Sequence, residues 1–145
     1  MKIFLILLFL TIPSMAHAAS PEGFWLTENK RSVIKVEPCA DKLCGKIVWI
    51  IKGGMQFDAK NPQESLRGQP MCGLKIISGM KKNSAKKWSG GYIYKADDGD
   101  VYTANITMGD SNTLKVRGYV GVPVLGKSQT WTRVSSKDYP SCSKP

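Results

Sequence analysis

Gly23-Phe24-Trp25 stands near the start of the chain and Thr130-Trp131-Thr132-Arg133 near its end. Between them lies a series of short β-prone segments broken by turn signals. In a closed antiparallel barrel the first and last strands are neighbours, because closure removes the sheet edges. A Trp on the first strand can then plug one end of the barrel while an Arg from the last strand lays its guanidinium on the indole face. Gly23 lets the backbone approach closely at that end. Gly23, Trp25, Trp131 and Arg133 are therefore expected to close a small barrel. Small barrels point to binding before catalysis.

Residues 1–18 have the layout of a secretory signal. Lys2 is the positive start, residues 3–12 the apolar run, Pro13 a break, and Ala16-His17-Ala18 a small-x-small cleavage site. The apolar run is too short to span a bilayer, which takes about 20 residues. No Cys follows the cleavage site, so no lipid anchor is expected there. The chain is expected to be cut after Ala18 and to be periplasmic or secreted. It should carry no transmembrane segment and act as a monomer. A barrel domain is expected over residues 19–135, followed by a tail over residues 136–145.

Removing 18 of the 145 residues leaves 127, enough for one domain with a core. It also removes the only histidine, His17. A chain without His lacks the commonest general base and the commonest metal ligand. Ser-His-Asp, Cys-His and His-based metal sites are excluded, and no metal or cofactor is expected.

The 21 Lys and Arg lose Lys2 with the signal, leaving 20 against 11 Asp and Glu. An exported basic protein does not normally meet nucleic acid. Its charge is either a solvated surface or an attraction to anionic envelope components such as lipid head groups. Lys81-Lys82 and Lys86-Lys87 are expected to crowd one turn around Asn83 and Ser84. No aromatic interleaves that cluster as stacking on single strands would require.

Cys39, Cys44, Cys72 and Cys142 form an even set, which in an oxidising compartment points to two disulfides. Three pairings are open. Cys39 and Cys44 flank a turn-like stretch between two β runs, so they would face each other across a hairpin, leaving Cys72 for Cys142. No C-x-x-C is present to support a redox role.

The β runs are residues 24–27, 31–38, 43–52, 72–80, 88–95, 101–108, 114–120 and 127–134. Asp97-Asp98-Gly99 and Gly109-Asp110-Ser111-Asn112 are turns between them. No stretch has an amphipathic helical period with caps. About eight strands joined mostly by short turns make an all-β domain, an antiparallel up-and-down barrel or a two-sheet sandwich.

One connection is long. Residues 53–71, G-G-M-Q-F-D-A-K-N-P-Q-E-S-L-R-G-Q-P-M, carry Met55, Phe57, Leu66 and Met71 that can pack. Asp58 and Asn61-Pro62 form turns, and Arg67 can fold back onto Asp58 or Glu64. The loop is either a compact Ω-type segment held by its own contacts or a lid across the barrel mouth.

The ordered motifs are Gly23-x-Trp25, Cys44-Gly45-Lys46-Ile47-Val48-Trp49, Asp58-x-x-Asn61-Pro62, Leu66-Arg67 and Cys72-Gly73-Leu74. Trp88-x-Gly90-Gly91-x-Ile93-Tyr94, Asp98-Gly99, Tyr102, Arg117-Gly118-Tyr119-x-Gly121 and Gly126-x-Ser128-Gln129-x-Trp131-x-Arg133 follow. Together they resemble the small exported bacterial proteins grouped as domain of unknown function 2147. The resemblance implies a single calycin-like barrel, similar to lipocalins and fatty-acid-binding proteins, with no established activity. Lipocalins usually add a helix after the last strand, whereas residues 135–145 are short and Pro-interrupted.

No motif places a base beside a nucleophile, and the acids at residues 97, 98 and 100 are more simply hairpin formers. The expected function is non-catalytic: a small apolar or amphipathic ligand bound in the barrel mouth. Phe57, Asp58, Asn61, Arg67, Trp49 and Tyr102 are the candidate ligand contacts. Trp88, Tyr92, Tyr94 and Tyr119 either line such a cavity or fill the core. In the second case the barrel is a solid envelope interaction or assembly protein that works through its basic surface. Inward residue size discriminates the two, with Gly45, Gly90, Gly91, Gly118 and Gly121 able to leave room or only to permit bending.

Overall fold

Alternating apolar and polar positions put one face of every strand into a common interior. The computed structural model describes residues 19–145, so the expected signal segment lies outside the described residues. The strands are β1 (Gly23–Leu26), β2 (Ser32–Cys39), β3 (Lys42–Ile50), β4 (Lys75–Ser84), β5 (Lys87–Lys95), β6 (Asp100–Met108), β7 (Thr113–Tyr119) and β8 (Lys127–Val134). Each pairs antiparallel with the next, and β1 pairs with β8, giving a closed eight-stranded barrel. Helix among the described residues is limited to two 3-10 turns, Glu64–Leu66 and Pro123–Leu125. No helix there is long and apolar enough to cross a membrane.

Strict up-and-down order gives the barrel two unlike ends. The N-terminus and the β2–β3, β4–β5 and β6–β7 turns meet at one end. The β1–β2, β3–β4, β5–β6 and β7–β8 connections meet at the other.

Trp25 and Arg133 lie at the first end. Trp25 and Arg133 are register partners on β1 and β8. The guanidinium carbon of Arg133 lies 4.2 Å from the centroid of the fully buried Trp25 ring. Arg133 donates from Nε to the Ser111 carbonyl (2.6 Å), from Nη1 to Glu22 (2.7 Å) and from Nη2 to Ser20 (2.6 Å). Trp25 Nε1 donates to the Pro21 carbonyl at 2.8 Å. Gly23 has φ of 130°, and a Cβ there would lie 2.6 Å from Arg133 Nη1. One side chain thus ties together the N-terminal segment, the last strand and the β6–β7 turn. Above this plug Met80, Ile106, Met108, Leu114, Ile77 and Trp88 fill the barrel.

Three local differences from the sequence reading have physical causes. First, β4 begins at Lys75, three residues later than expected, and runs on to Ser84. Residues 72–74 instead finish the long connection, which clips onto β3 through Gly73 N to Ile47 O (2.8 Å) and Ile47 N to Leu74 O (3.0 Å). Second, Lys81 and Lys82 therefore lie on β4 and Lys87 on β5, with only residues 85 and 86 in the turn. Third, the β2–β3 register shifts between Val33 and Ile34, which pair with Trp49 and Ile47. Such a bulge turns the following side chain to the opposite face. Trp49 leaves the interior and packs edge-on against Tyr139 of the tail, ring centroids 4.9 Å apart.

Both cysteine pairs are disulfides, Cys39–Cys44 and Cys72–Cys142. The first staples the β2–β3 turn. The second ties the tail to the long connection, with Cys142 N also donating to Val48 O at 2.7 Å.

The sequence separations of 70 and 5 residues predict unequal contributions. By loop-closure entropy the Cys72–Cys142 bond contributes about 4 kcal/mol and Cys39–Cys44 about 2 kcal/mol. The Cys72→Ser/Cys142→Ser variant should therefore unfold at lower urea than Cys39→Ser/Cys44→Ser; equal midpoints would contradict this ordering. Arg133→Ala should cost ~2–3 kcal/mol in the same assay through its lost charged hydrogen bonds and ring contact. A loss below ~0.5 kcal/mol would show that the barrel end closes without it.

Candidate functional site

The interior is solid only at the plugged end. Toward the other end the same inward faces enclose an open cavity of about 660 Å³. Its walls are Ile34, Ile47, Ile76, Ile93 and Val116, with Trp131 among the deepest side chains. Gly118, inward on β7, also lines the cavity, with Tyr102 Cβ and Ile93 Cγ2 3.3 and 3.5 Å from where a Cβ would stand. At Gly45 a Cβ would press on Ile34 and Ile77 at 3.1–3.3 Å, so that glycine serves packing. Gly91 likewise makes room for the backbone of residues 78–80.

The rim is polar and comes from three of the four connections. Thr27, Asn29 and Ser32 flank the β1–β2 turn, Asp97 lies on the β5–β6 turn, and Lys127, Ser128 and Gln129 start β8. Tyr94, Tyr102 and Tyr119 also line the space. Lys95 and Asp98 form an ion pair at 2.6 Å. The Asp98 carboxylate raises the Lys95 pKa against burial, which lowers it. Burial and the same carboxylate push the Tyr102 hydroxyl above its ordinary value.

Beside the mouth, the long connection is held by a buried carboxylate. Asp58 is fully buried and accepts from Tyr94 Oη (2.6 Å), Asn61 Nδ2 (2.7 Å) and Gln69 Nε2 (2.9 Å). The Arg67 side chain bonds neither the Asp58 nor the Glu64 carboxylate; its Nε donates to the Asn61 carbonyl at 2.8 Å, while its backbone N–H donates to the Glu64 carbonyl at 3.1 Å. Lys60 Nζ reaches the Asp97 carbonyl at 2.7 Å. The loop backbone at Lys60 passes so close to Gly99 that a Cβ there would collide with the Lys60 carbonyl. A Phe57–Pro70 bridge and the Glu64–Leu66 turn complete a segment held by its own contacts.

Of the six candidate contacts, Tyr102 lines the cavity. Asp58, Asn61 and Arg67 pin the loop, Phe57 is half-exposed beside it, and Trp49 is on the outer face. From the long loop only Met71 reaches the cavity wall. Of the other aromatics Tyr94 and Tyr119 face the cavity, Trp88 is core and Tyr92 is exposed. The sequence reading passed over Ile47, Ile76, Ile93, Val116, Lys127 and Gln129 as lining residues. Strand parity would have found Val116 and Ile93. Nothing local marks Lys127.

The sequence profile of the uncharacterized proteins conserved in bacteria, domain of unknown function 2147, matches residues 23–133. The chain belongs to this family. No curated protein matches the DUF2147 chain significantly. Among solved structures it is similar to protein HP1028 from the human pathogen Helicobacter pylori, described as belonging to the lipocalin family. The two share 21% identity at a TM-score of 0.75, over 83% of this chain and 86% of that one. At that identity the likeness establishes a lipocalin-like, calycin-type barrel for the DUF2147 chain and no more.

Tyr94 links the two parts of the site, since its ring faces the cavity and its hydroxyl holds the loop. Burial, then the hydrogen bond to Asp58, push its pKa well above the usual phenol range. A raised pKa means that the folded state holds this proton after the unfolded chain has lost it. The resulting stability is complete below about pH 10 and falls as pH rises beyond it. Tyr94→Phe should lose ~1–3 kcal/mol at neutral pH, because a buried acceptor loses one donor. The gap between variant and parent should narrow above about pH 10 in urea titrations. A gap independent of pH would remove Tyr94 as its source.

Proposed function

We propose that this chain is an exported, non-catalytic binding protein that holds a small apolar or amphipathic molecule in the open cavity. The observation that carries this reading is the hollow half-barrel itself. A volume of about 660 Å³ falls within the ~300–1,000 Å³ of small-molecule sites, and apolar walls under a few polar groups match their usual make-up. Stability alone would favour filling that space, since interiors pack to the density of organic crystals. The plugged end does so with large side chains. The open end is lined by medium aliphatics, a glycine and, toward the rim, tyrosines, which leave the space unfilled.

The rim supports an amphiphile over a purely apolar guest. A tail would lie among Ile34, Ile47, Ile93 and Val116, with its head group near Tyr102, Lys127 and Gln129. A non-catalytic role is supported by how the rim's reactive groups are engaged. Lys95 is paired with Asp98, and the Tyr94 hydroxyl is committed to Asp58. The likeness to a lipocalin-family barrel supports the same reading, because such barrels can hold one small ligand. Export is supported by the signal-like residues 1–18 and by two disulfides, which persist in oxidising compartments.

Native mass spectrometry of protein purified gently from its own envelope fraction should show a bound amphiphile. A fluorescent long-chain fatty acid should bind the emptied protein. Ile93→Trp, which projects a larger side chain into the space, should weaken that binding at least ~10-fold while the fold persists. Unchanged affinity, or a bare mass across preparations, would place the function elsewhere.

A further inference from the structure

The mouth carries an exposed apolar loop that cavity binding does not explain. The β7–β8 connection reads Val120-Gly121-Val122-Pro123-Val124-Leu125-Gly126. Its four aliphatic side chains are 72, 51, 80 and 76% exposed. Turn segments are ordinarily polar, and apolar side chains gathered on one loop mark an interaction site.

The loop is also held rigidly. Arg117 on β7 donates from Nε to the Pro123 carbonyl (2.8 Å), from Nη2 to Val124 (3.4 Å) and from Nη1 to Ser128 Oγ (2.8 Å). The Pro123–Leu125 turn closes the frame. These contacts satisfy backbone carbonyls that would otherwise need water, and they leave the side chains pointing out.

Position gives the loop a direction. Val120 and Leu125 also line the cavity, so its wall continues onto the exposed surface. Val122 and Val124 lie beyond it. The charged residues at the loop's own two ends share one sign. Arg117 and Lys127 flank it, and the loop contains no acid. Because β8 pairs with β1, the next connection along the rim is β1–β2, which carries Lys30 and Arg31. Glu28 on that turn accepts from Thr130 N at 2.6 Å. Asp97, Asp98 and Asp100 lie on the β5–β6 side, so the rim is basic on one flank and acidic on the other.

We propose that this loop docks the open mouth onto an anionic lipid bilayer. Val122 and Val124 would enter the acyl layer while Lys30, Arg31 and Lys127 face the head groups. The cargo is the amphiphile of the preceding reading, on which the docking rests for its purpose. A tail could then pass between bilayer and cavity along Val120 and Leu125 without crossing water. Four aliphatic side chains bury less apolar surface than one long acyl chain, which itself gives only marginal, reversible membrane binding. The contact is therefore transient, as a carrier needs.

Vesicle flotation of the full mature chain tests this. The parent protein should float with vesicles of phosphatidylglycerol and phosphatidylethanolamine. Val122→Asp/Val124→Asp should reduce that partition at least ~10-fold, since both side chains would carry charge into the acyl layer. Neither residue lines the cavity, so fatty-acid affinity in solution should stay at the parent value. Equal flotation of the two proteins, or none by the parent, would overturn the docking while leaving the cavity reading intact. Loop-dependent flotation without any fatty-acid binding would sustain the docking and remove its cargo. Equal partition onto phosphatidylcholine vesicles would overturn the choice of an anionic surface. A concentration-dependent dimer lost in the double variant would assign the loop to a second copy and overturn the bilayer.

Discussion

The Arg133 guanidinium lies on the Trp25 ring at the seam where the first and last strands of the barrel meet. Eight strands in sequential order have a single seam between neighbours that do not follow one another in the chain, and that seam lies between β1 and β8. Its ladder is short, because β1 has only four residues. Three backbone hydrogen-bond acceptors and an indole face add what the ladder lacks. The acceptors come from the N-terminal segment and the β6–β7 turn, so the contact crosses the base of the barrel. A Lys could not take its place: a single ammonium has neither the planar fork nor the flat face that stacks on a ring.

Fixing one end frees the other. With Trp25, Trp88 and the methionines filling the plugged half, the upper half need not be packed for the barrel to stand. The four connections at the mouth divide the remaining work. The long one is anchored by Asp58, whose hydrogen bonds come from two loop residues and from Tyr94 of β5. A buried carboxylate needs such donors, because unsatisfied burial of charge is strongly unfavourable. The segment that looked most like a lid is thereby fastened to the rim, and the short β7–β8 loop is left as the exposed apolar element.

How much of this was legible depended on whether the deciding interaction is local. The terminal pair was legible because closure forces the first and last strands together, and Trp25 and Arg133 are the residues that profit from it. The Cys39–Cys44 staple was legible because a hairpin brings its ends together whatever the rest of the chain does. Trp49 was not legible. Alternation from Ile47 points it inward, and only the β2–β3 bulge turns it out against Tyr139, a contact made by the distant tail. Asp58 and Asn61 were read as turn formers and as candidate ligand contacts, and the bonds they make lie within the loop and to Tyr94. Their partner Tyr94 is 36 positions from Asp58, and no local pattern shows that they serve anchoring rather than recognition. The cavity itself was undecided in sequence, since whether an inward glycine leaves space or admits a neighbour depends on what stands opposite it, as Ile34 and Ile77 do at Gly45.

The β7–β8 loop shows how two ordinary residues can be set against each other. Aliphatic side chains in a turn are unfavourable in water, and a flexible loop would fold them down over the nearby cavity wall. Arg117 prevents that by binding the loop's carbonyls from the outer face of β7. Its cation is bonded to the carbonyls of Pro123 and Val124, next to the exposed aliphatic side chains. The same residue therefore holds the loop's backbone and sets a positive charge beside its apolar surface. A loop serving only as the cavity's cover would gain from the opposite arrangement, with its aliphatics turned inward and its backbone left to water.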